Sequence, residues 1–252
     1  MLSERDQSAF DWIRKGHAEL HSSKTLDWNG NFVTHLIPPV FESYAKLLHR
    51  IEAYHDFIDK PLSARENEIL RIPSCEPLRS FVESRRADSQ RRVRWKELAV
   101  LLDVPFAPAI NHHWYRKRLP DPWCWPRLLT GPNDGHLNEE ECERLASVLK
   151  DFTGSQDCFF RFSDIPFYAG PGQSTVFRGK LDEVSVFQKD KCLSFEYWWP
   201  SGRNWVVCSD YDLPFTIIGG PSQLVSALMR DTVLECVEVE LRTRIDVFAP
   251  IP

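Results

Sequence analysis

Val237-Glu238-Val239-Glu240-Leu241-Arg242-Thr243-Arg244-Ile245-Asp246-Val247, near the end of a 252-residue chain, sets apolar against charged side chains at a period of two. That period belongs to a strand with one dry face and one wet face. Upstream, Cys158 to Phe162, Thr175 to Phe177, Leu193 to Trp199 and Trp205 to Tyr211 are short aromatic and β-branched runs bounded by Pro, Gly, Ser and Asp, and they predict further strands. Gly219-Gly220-Pro221-Ser222 predicts a tight turn into a helix whose apolar face is Leu224, Val225, Leu228 and Met229. Lys180 to Gln188 fits a helix and a strand equally well.

The first part of the chain has a different period. Ser3 and Asp6 predict the cap of a helix carrying Phe10, Trp12, Ile13 and Leu20 and ending at His21-Ser22-Ser23. Pro38-Pro39 predicts the opening of a second helix, with Val40, Phe41, Tyr44, Leu47, Leu48 and Ile51 on its inner face. A segment punctuated by proline runs from Asp59 to Pro77, a basic one from Arg79 to Arg94, and residues 94 to 102 read as a short helix. Asn138 with Glu141 three residues on predicts a capped helix with Cys142, Leu145, Ala146, Val148 and Leu149 inward, ended by Gly154. The expected class is α+β: a helical lobe over 1–154 packed on a mixed or antiparallel sheet-rich lobe over 155–252, with one late helix, forming one compact body.

Apolar content of 42% and charged content of 27% are those of a globular chain that folds by burial. No run approaches the ~20 apolar residues of a membrane span, and the start lacks a basic segment followed by an apolar one. Seven cysteines, an odd number spread singly, fit reduced thiols in a cytoplasm. A formal charge of −5 argues against a protein devoted to coating nucleic acid, and leaves local basic runs open.

Trp198-Trp199-Pro200-Ser201-Gly202-Arg203-Asn204-Trp205 predicts a hairpin with Trp198 opposite Trp205. Alternation sets Glu196, Trp198, Trp205 and Val207 on one face and Tyr197, Trp199, Val206 and Cys208 on the other. Such a hairpin is either the covered centre of a sheet or a displayed contact surface in which Trp198, Trp199, Trp205 and Arg203 anchor a partner. Ile37 to His49, Val93-Arg94-Trp95, the Trp198-Trp199-Pro200 to Trp205-Val206-Val207 hairpin, Asp212-Leu213-Pro214-Phe215-Thr216 and Gly219-Gly220 together resemble the landmarks of a family of uncharacterised bacterial proteins. The resemblance implies a bacterial cytoplasmic protein and carries over no catalytic residue.

Reaction chemistry has few candidates. Asp210 and Asp212, two apart, could share a divalent metal or a proton, or simply solvate a turn. His112-His113 is the densest group of acid, base and ligand atoms, although adjacent residues are expected to point apart and do not make the same-face pair of a zinc site. Ser43 with Lys46 and Ser147 with Lys150 match Ser-x-x-Lys without the companion motifs, and read as helix surface. No P-loop, nucleophile elbow or dinucleotide turn is present, so the sequence assigns no cofactor and no metal.

The remaining feature is a basic run through Arg79, Arg85, Arg86, Arg91, Arg92, Arg94 and Lys96, joined by Arg116-Lys117-Arg118. It can contact phosphates, with Trp95 or Trp114 stacking on a base, or it can be a solvated face. The expected function is a non-enzymatic binding protein of the immunity or antitoxin kind. It would hold another macromolecule, a protein before a nucleic acid, through the hairpin or through the basic run with Arg91 and Arg92. The alternatives are a hydrolase or metal-dependent nuclease using Asp210 and Asp212 with His112 or His113, and, ranked behind both, a nucleic-acid binder.

Overall fold

A computed structural model describes residues 3–5, 7–22, 31–54, 90–118, 125, 129–163, 174–191, 195–246 and 249–252. Strand β1 (Ser3–Arg5) and a 3-10 turn (Gln7–Phe10) lead into helix α1 (Asp11–Ser22), followed by β2 (Ser43–Leu48) and β3 (Ile51–Tyr54). Next come β4 (Gln90–Val93), α2 (Trp95–Leu101), α3 (His112–Arg116), β5 (Leu129–Thr130) and α4 (Glu139–Thr153). Strands β6 (Cys158–Ser163) and β7 (Ser174–Gly179), helix α5 (Glu183–Lys191), β8 (Tyr197–Pro200) and β9 (Val206–Cys208) precede β10 (Phe215–Gly220), α6 (Ser222–Arg230) and β11 (Cys236–Val239). The class is α+β, with antiparallel pairing throughout the described strands.

The chain divides into two compact units, one of 1–49 with 133–246 and one of 50–132 with 247–252. The boundary expected at residue 154 falls inside the first unit. There α4 buries Cys142, Leu145 and Leu149 in the same core as Phe160, Trp198, Val207 and Ile218 of the strands that follow it. The expected cap holds: the side-chain oxygen of Asn138 accepts from the Glu141 N–H at 2.8 Å, and Gly154 turns out of the helix at φ 60°.

The first unit is an eight-stranded sheet in the order β1-β7-β6-β8-β9-β10-β2-β11. Its most consequential member is β2, where a helix was expected. Tyr44, Leu47, Leu48 and Ile51 do repeat at helical spacing, but Tyr44 to Leu48 are buried on both faces of the strand. A strand covered on both sides reads as a continuous apolar run, which spacing alone does not separate from a buried helix. Ala45 and Leu47 enter the core with α4 and α6, while Tyr44, Lys46 and Leu48 take the opposite face. The helix expected from Ser3 begins only at Asp11, because Ser3–Arg5 pair with Val176–Arg178 of β7.

Gly219-Gly220 is the end of β10 and not a turn. A Cβ at 219 would sit 2.6 Å from Phe41 Cδ2, and one at 220 would sit 2.7 Å from Leu224 Cδ2, so close packing on both faces selects glycine. Met229, expected inward on α6, is 43% exposed. The ambiguous segment after Lys180 is helix α5, and the alternation that begins at Val237 keeps strand form only to Val239 before the chain turns.

The hairpin forms two residues out of the expected register. Trp198 lies opposite Val207 and Tyr197 opposite Cys208, with a turn closed by the Arg203 N–H on the Pro200 carbonyl at 2.9 Å. A two-residue shift preserves each side chain's face, so the expected division stands within the two strands, whereas Glu196, expected beside Trp198, pairs with Arg161 on the Tyr197 side. Both faces are covered: Trp198 and Trp205 lie in the helix-side core, and Trp199 packs against Phe10, Trp12 and Phe159.

The second unit holds a three-stranded sheet, β4-β3-β5, with α2 and α3. Trp114 donates its indole N–H to the Ala249 carbonyl at 2.9 Å, and Tyr115 donates its hydroxyl to the Trp95 carbonyl at 2.7 Å. Among the described residues no helix is long and apolar enough to cross a membrane. Trp198→Ala and Trp205→Ala should each lower the free energy of unfolding by about 3 to 5 kcal/mol in urea titrations. Arg203→Ala, losing a cation–π contact of 5.4 Å with Trp12, should change it by less than about 1 kcal/mol.

Candidate functional site

The three tryptophans proposed as partner anchors are buried: Trp198 is 3%, Trp199 1% and Trp205 0% exposed. They are core, as large aromatics in a covered sheet must be. Only Arg203 stands out at the hairpin tip, in the left-handed region at φ 57°. Trp95 and Trp114, the expected base-stacking residues, are each 0% exposed and cannot stack on anything outside the protein.

Asp210 and Asp212 make a turn. The Asp210 carboxylate accepts from the Asp212 N–H at 3.0 Å, and burial pushes the Asp210 carboxyl above its ordinary range. No group of three His, Cys, Asp or Glu among the described residues could hold a metal ion. His112 and His113 belong to the second unit and Asp210 and Asp212 to the first. The two imidazoles do not diverge as adjacent residues on a helix should, since their rings lie 4.0 Å apart at the start of α3. Burial, then the neighbouring His113 and Arg116 charges, pull His112 down to about 3, and the same kinds of influence lower His113.

The histidine that does join a polar network is His49, which follows β2. Its Nδ1 lies 2.6 Å from the Asn133 carbonyl and its Nε2 lies 2.9 Å from Thr216 Oγ1, which in turn lies 2.6 Å from Ser209 Oγ. A carbonyl only accepts, so Nδ1 carries the proton and Nε2 accepts from Thr216, whose oxygen accepts from Ser209. His49, Thr216 and Ser209 are each less than 5% exposed, so this relay braces three strand ends and is closed to a substrate. Its sequence signal was a histidine at the end of an apolar run, hidden by the helical reading of that run.

Lys46, expected on a helix surface, is fully buried in β2 between Ile217 and Val237, its Nζ 4.8 Å from the Phe215 ring centroid. Burial lowers its amine to about 7. Ser147 and Lys150 do lie on α4, where Lys150 pairs with Asp182 at 3.0 Å.

Arg91 and Arg92 sit on β4 of the second unit, with Arg91 half-exposed and 3.9 Å from Glu97. Arg79, Arg85 and Arg86 lie outside the described residues. The described cysteines Cys142, Cys158, Cys208 and Cys236 are in no disulfide, and the first three are buried.

One open groove lies in the first unit, beside the terminal strand β11. It is lined by Phe41, Ser43, Tyr44, Val239 and Leu241, by the carboxylates of Glu42, Glu238 and Glu240, and by one cation, Arg242. Because the Leu48 N–H bonds the Glu235 carbonyl at 2.9 Å, residues 235, 237 and 239 face β2. The peptide groups of Cys236 and Glu238 therefore point to the outer edge of the sheet. The sequence reading gave Phe41, Ser43 and Tyr44 to a helix and residues 238–242 to a strand without joining them in one site, since the groove is assembled from the start of β2 and the end of β11. Comparison with known protein families, with curated proteins and with solved structures finds no match.

Two titrations follow from the buried groups. Unfolded His49 takes up its proton near pH 6.5 and folded His49 near 4, so its share of stability is complete above 6.5 and is lost as pH falls through that window. Urea midpoints from pH 7.5 to 4 should show a loss of up to about 3 kcal/mol that His49→Gln removes. Lys46→Met should stabilise the chain at pH 7 by more than about 1 kcal/mol and flatten the rise of stability between pH 7 and 10.5.

Proposed function

We propose that the chain is a binding protein that captures an extended, basic segment of a partner protein along the outer edge of β11. The observation that carries this reading is the coincidence, at one groove, of a terminal strand with outward peptide groups and the carboxylates of Glu42, Glu238 and Glu240. A strand added at such an edge gains main-chain hydrogen bonds, and alternate side chains then meet the groove. Cationic side chains at those positions meet carboxylates, and apolar ones meet Phe41 and Leu241.

The charge of the whole unit favours the same partner. Its sequence carries 16 Lys and Arg against 25 Asp and Glu, a net of −9, so it attracts cations before contact. The carboxylates are not equally available. All three are exposed, but Glu42 already accepts from the Ser222 N–H at the start of α6 at 3.0 Å. An interaction protein of the immunity or antitoxin kind belongs to this class, with its contact surface moved from the hairpin to the sheet edge.

Fluorescence anisotropy with labelled peptides tests the reading. A peptide of about eight residues alternating Lys or Arg with Val or Ile should bind, and its Glu-containing counterpart should not. Glu238→Lys with Glu240→Lys should weaken binding at least about tenfold without unfolding the protein. Equal affinity for both peptides, or for the variant, would sink the proposal.

A further inference from the structure

The two units carry opposite charge. The sequence of the second has 15 Lys and Arg against 11 Asp and Glu, a net of +4 inside an acidic chain. Its described residues are more one-sided: Arg50, Arg91, Arg92, Arg94, Lys96 and Arg116-Lys117-Arg118 stand against Glu52, Glu97 and Asp103. Two of those three carboxylates are engaged, Glu52 with Arg50 at 2.9 Å and Glu97 near Arg91 at 3.9 Å.

Folding brings the two basic stretches together. The Tyr115 hydroxyl on the Trp95 carbonyl at 2.7 Å, with the two rings 5.3 Å apart, ties α3 to the start of α2. Arg94 and Lys96 flank Trp95, and Arg116 follows Tyr115, so runs separated in sequence meet around one buried contact. Lys96, Lys117 and Arg118 are exposed there, and Arg94 and Arg116 half-exposed. The half-buried His112 and His113 lie on the same short helix as Arg116, with their rings 4.0 Å apart.

We infer that this basic surface of the second unit binds the phosphate backbone of a single-stranded nucleic acid, independently of the groove in the first unit. Arginine dominates it, and the planar guanidinium fork matches phosphate oxygens two at a time. A backbone of regularly spaced phosphates can engage cations from both runs at once, and an imidazole face beside an arginine can stack on an unpaired base. An acidic protein would have to present carboxylates at matching positions, and no feature of the surface selects for that arrangement.

Anisotropy with a labelled oligonucleotide of about 20 residues, read across salt from about 50 to 200 mM, tests this on the full chain. Binding should weaken with salt at a log–log slope of about −2 to −4, as expected when about three to five phosphates are contacted. Lys96→Glu with Lys117→Glu should weaken binding at least about tenfold, and Lys150→Glu, an exposed cation of the first unit, should leave it unchanged. Circular dichroism establishes that each variant is folded. No binding at 50 mM salt, equal loss in the Lys150 variant, or binding of poly-glutamate as tight as the oligonucleotide would overturn the inference.

Discussion

The six-residue pairing of β2 with β10, Ser43 to Leu48 against Phe215 to Gly220, is the constraint on which the first unit depends. It inserts an N-terminal segment between strands from the C-terminal part of the chain, and each partner is dry on both faces. A single polar side chain in that position has to be neutral or paired, which is why burial depresses the Lys46 amine. The same insertion leaves β11 outermost, with the Glu238 peptide group turned away from β2. Both the packing of the sheet and the terminal place of β11 thus trace to one strand.

Local signals gave the elements whose chemistry is local. Asn138 and Gly154 bracket α4 as their side-chain oxygen and positive φ require, and the aromatic runs from Cys158 onward are strands. The fold class followed from those elements. What misled was the apolar repeat from Tyr44 to Ile51, where a strand buried on both faces imitates a helix. With β2 misread, the sheet lost the strand that joins β10 to β11, Lys46 was assigned to the surface, and His49 lost its strand-end setting.

Candidate sites were legible only in part for the same reason. Asp210 and Asp212 form the turn that their spacing allowed, and the hairpin tryptophans fill the core that their size allowed. The basic stretches were visible as composition, but their link through the Tyr115 hydroxyl on the Trp95 carbonyl was not. The groove beside β11 had no sequence signal, because Phe41, Glu42 and Tyr44 lie nearly 200 positions from Glu238 and Glu240 and meet through the sheet. Sites built from strand ends are spatial objects, and spacing rules see only one side of them.

The central claim, that the outer edge of β11 is open and receives a partner strand, is tested most directly by amide hydrogen exchange resolved to single residues of β11. The Glu238 amide should exchange rapidly in the free protein while Val237 and Val239 exchange slowly, and a bound basic peptide should protect Glu238. Slow exchange at Glu238 before any ligand is added, or unchanged exchange at saturating peptide, would contradict an open, strand-accepting edge.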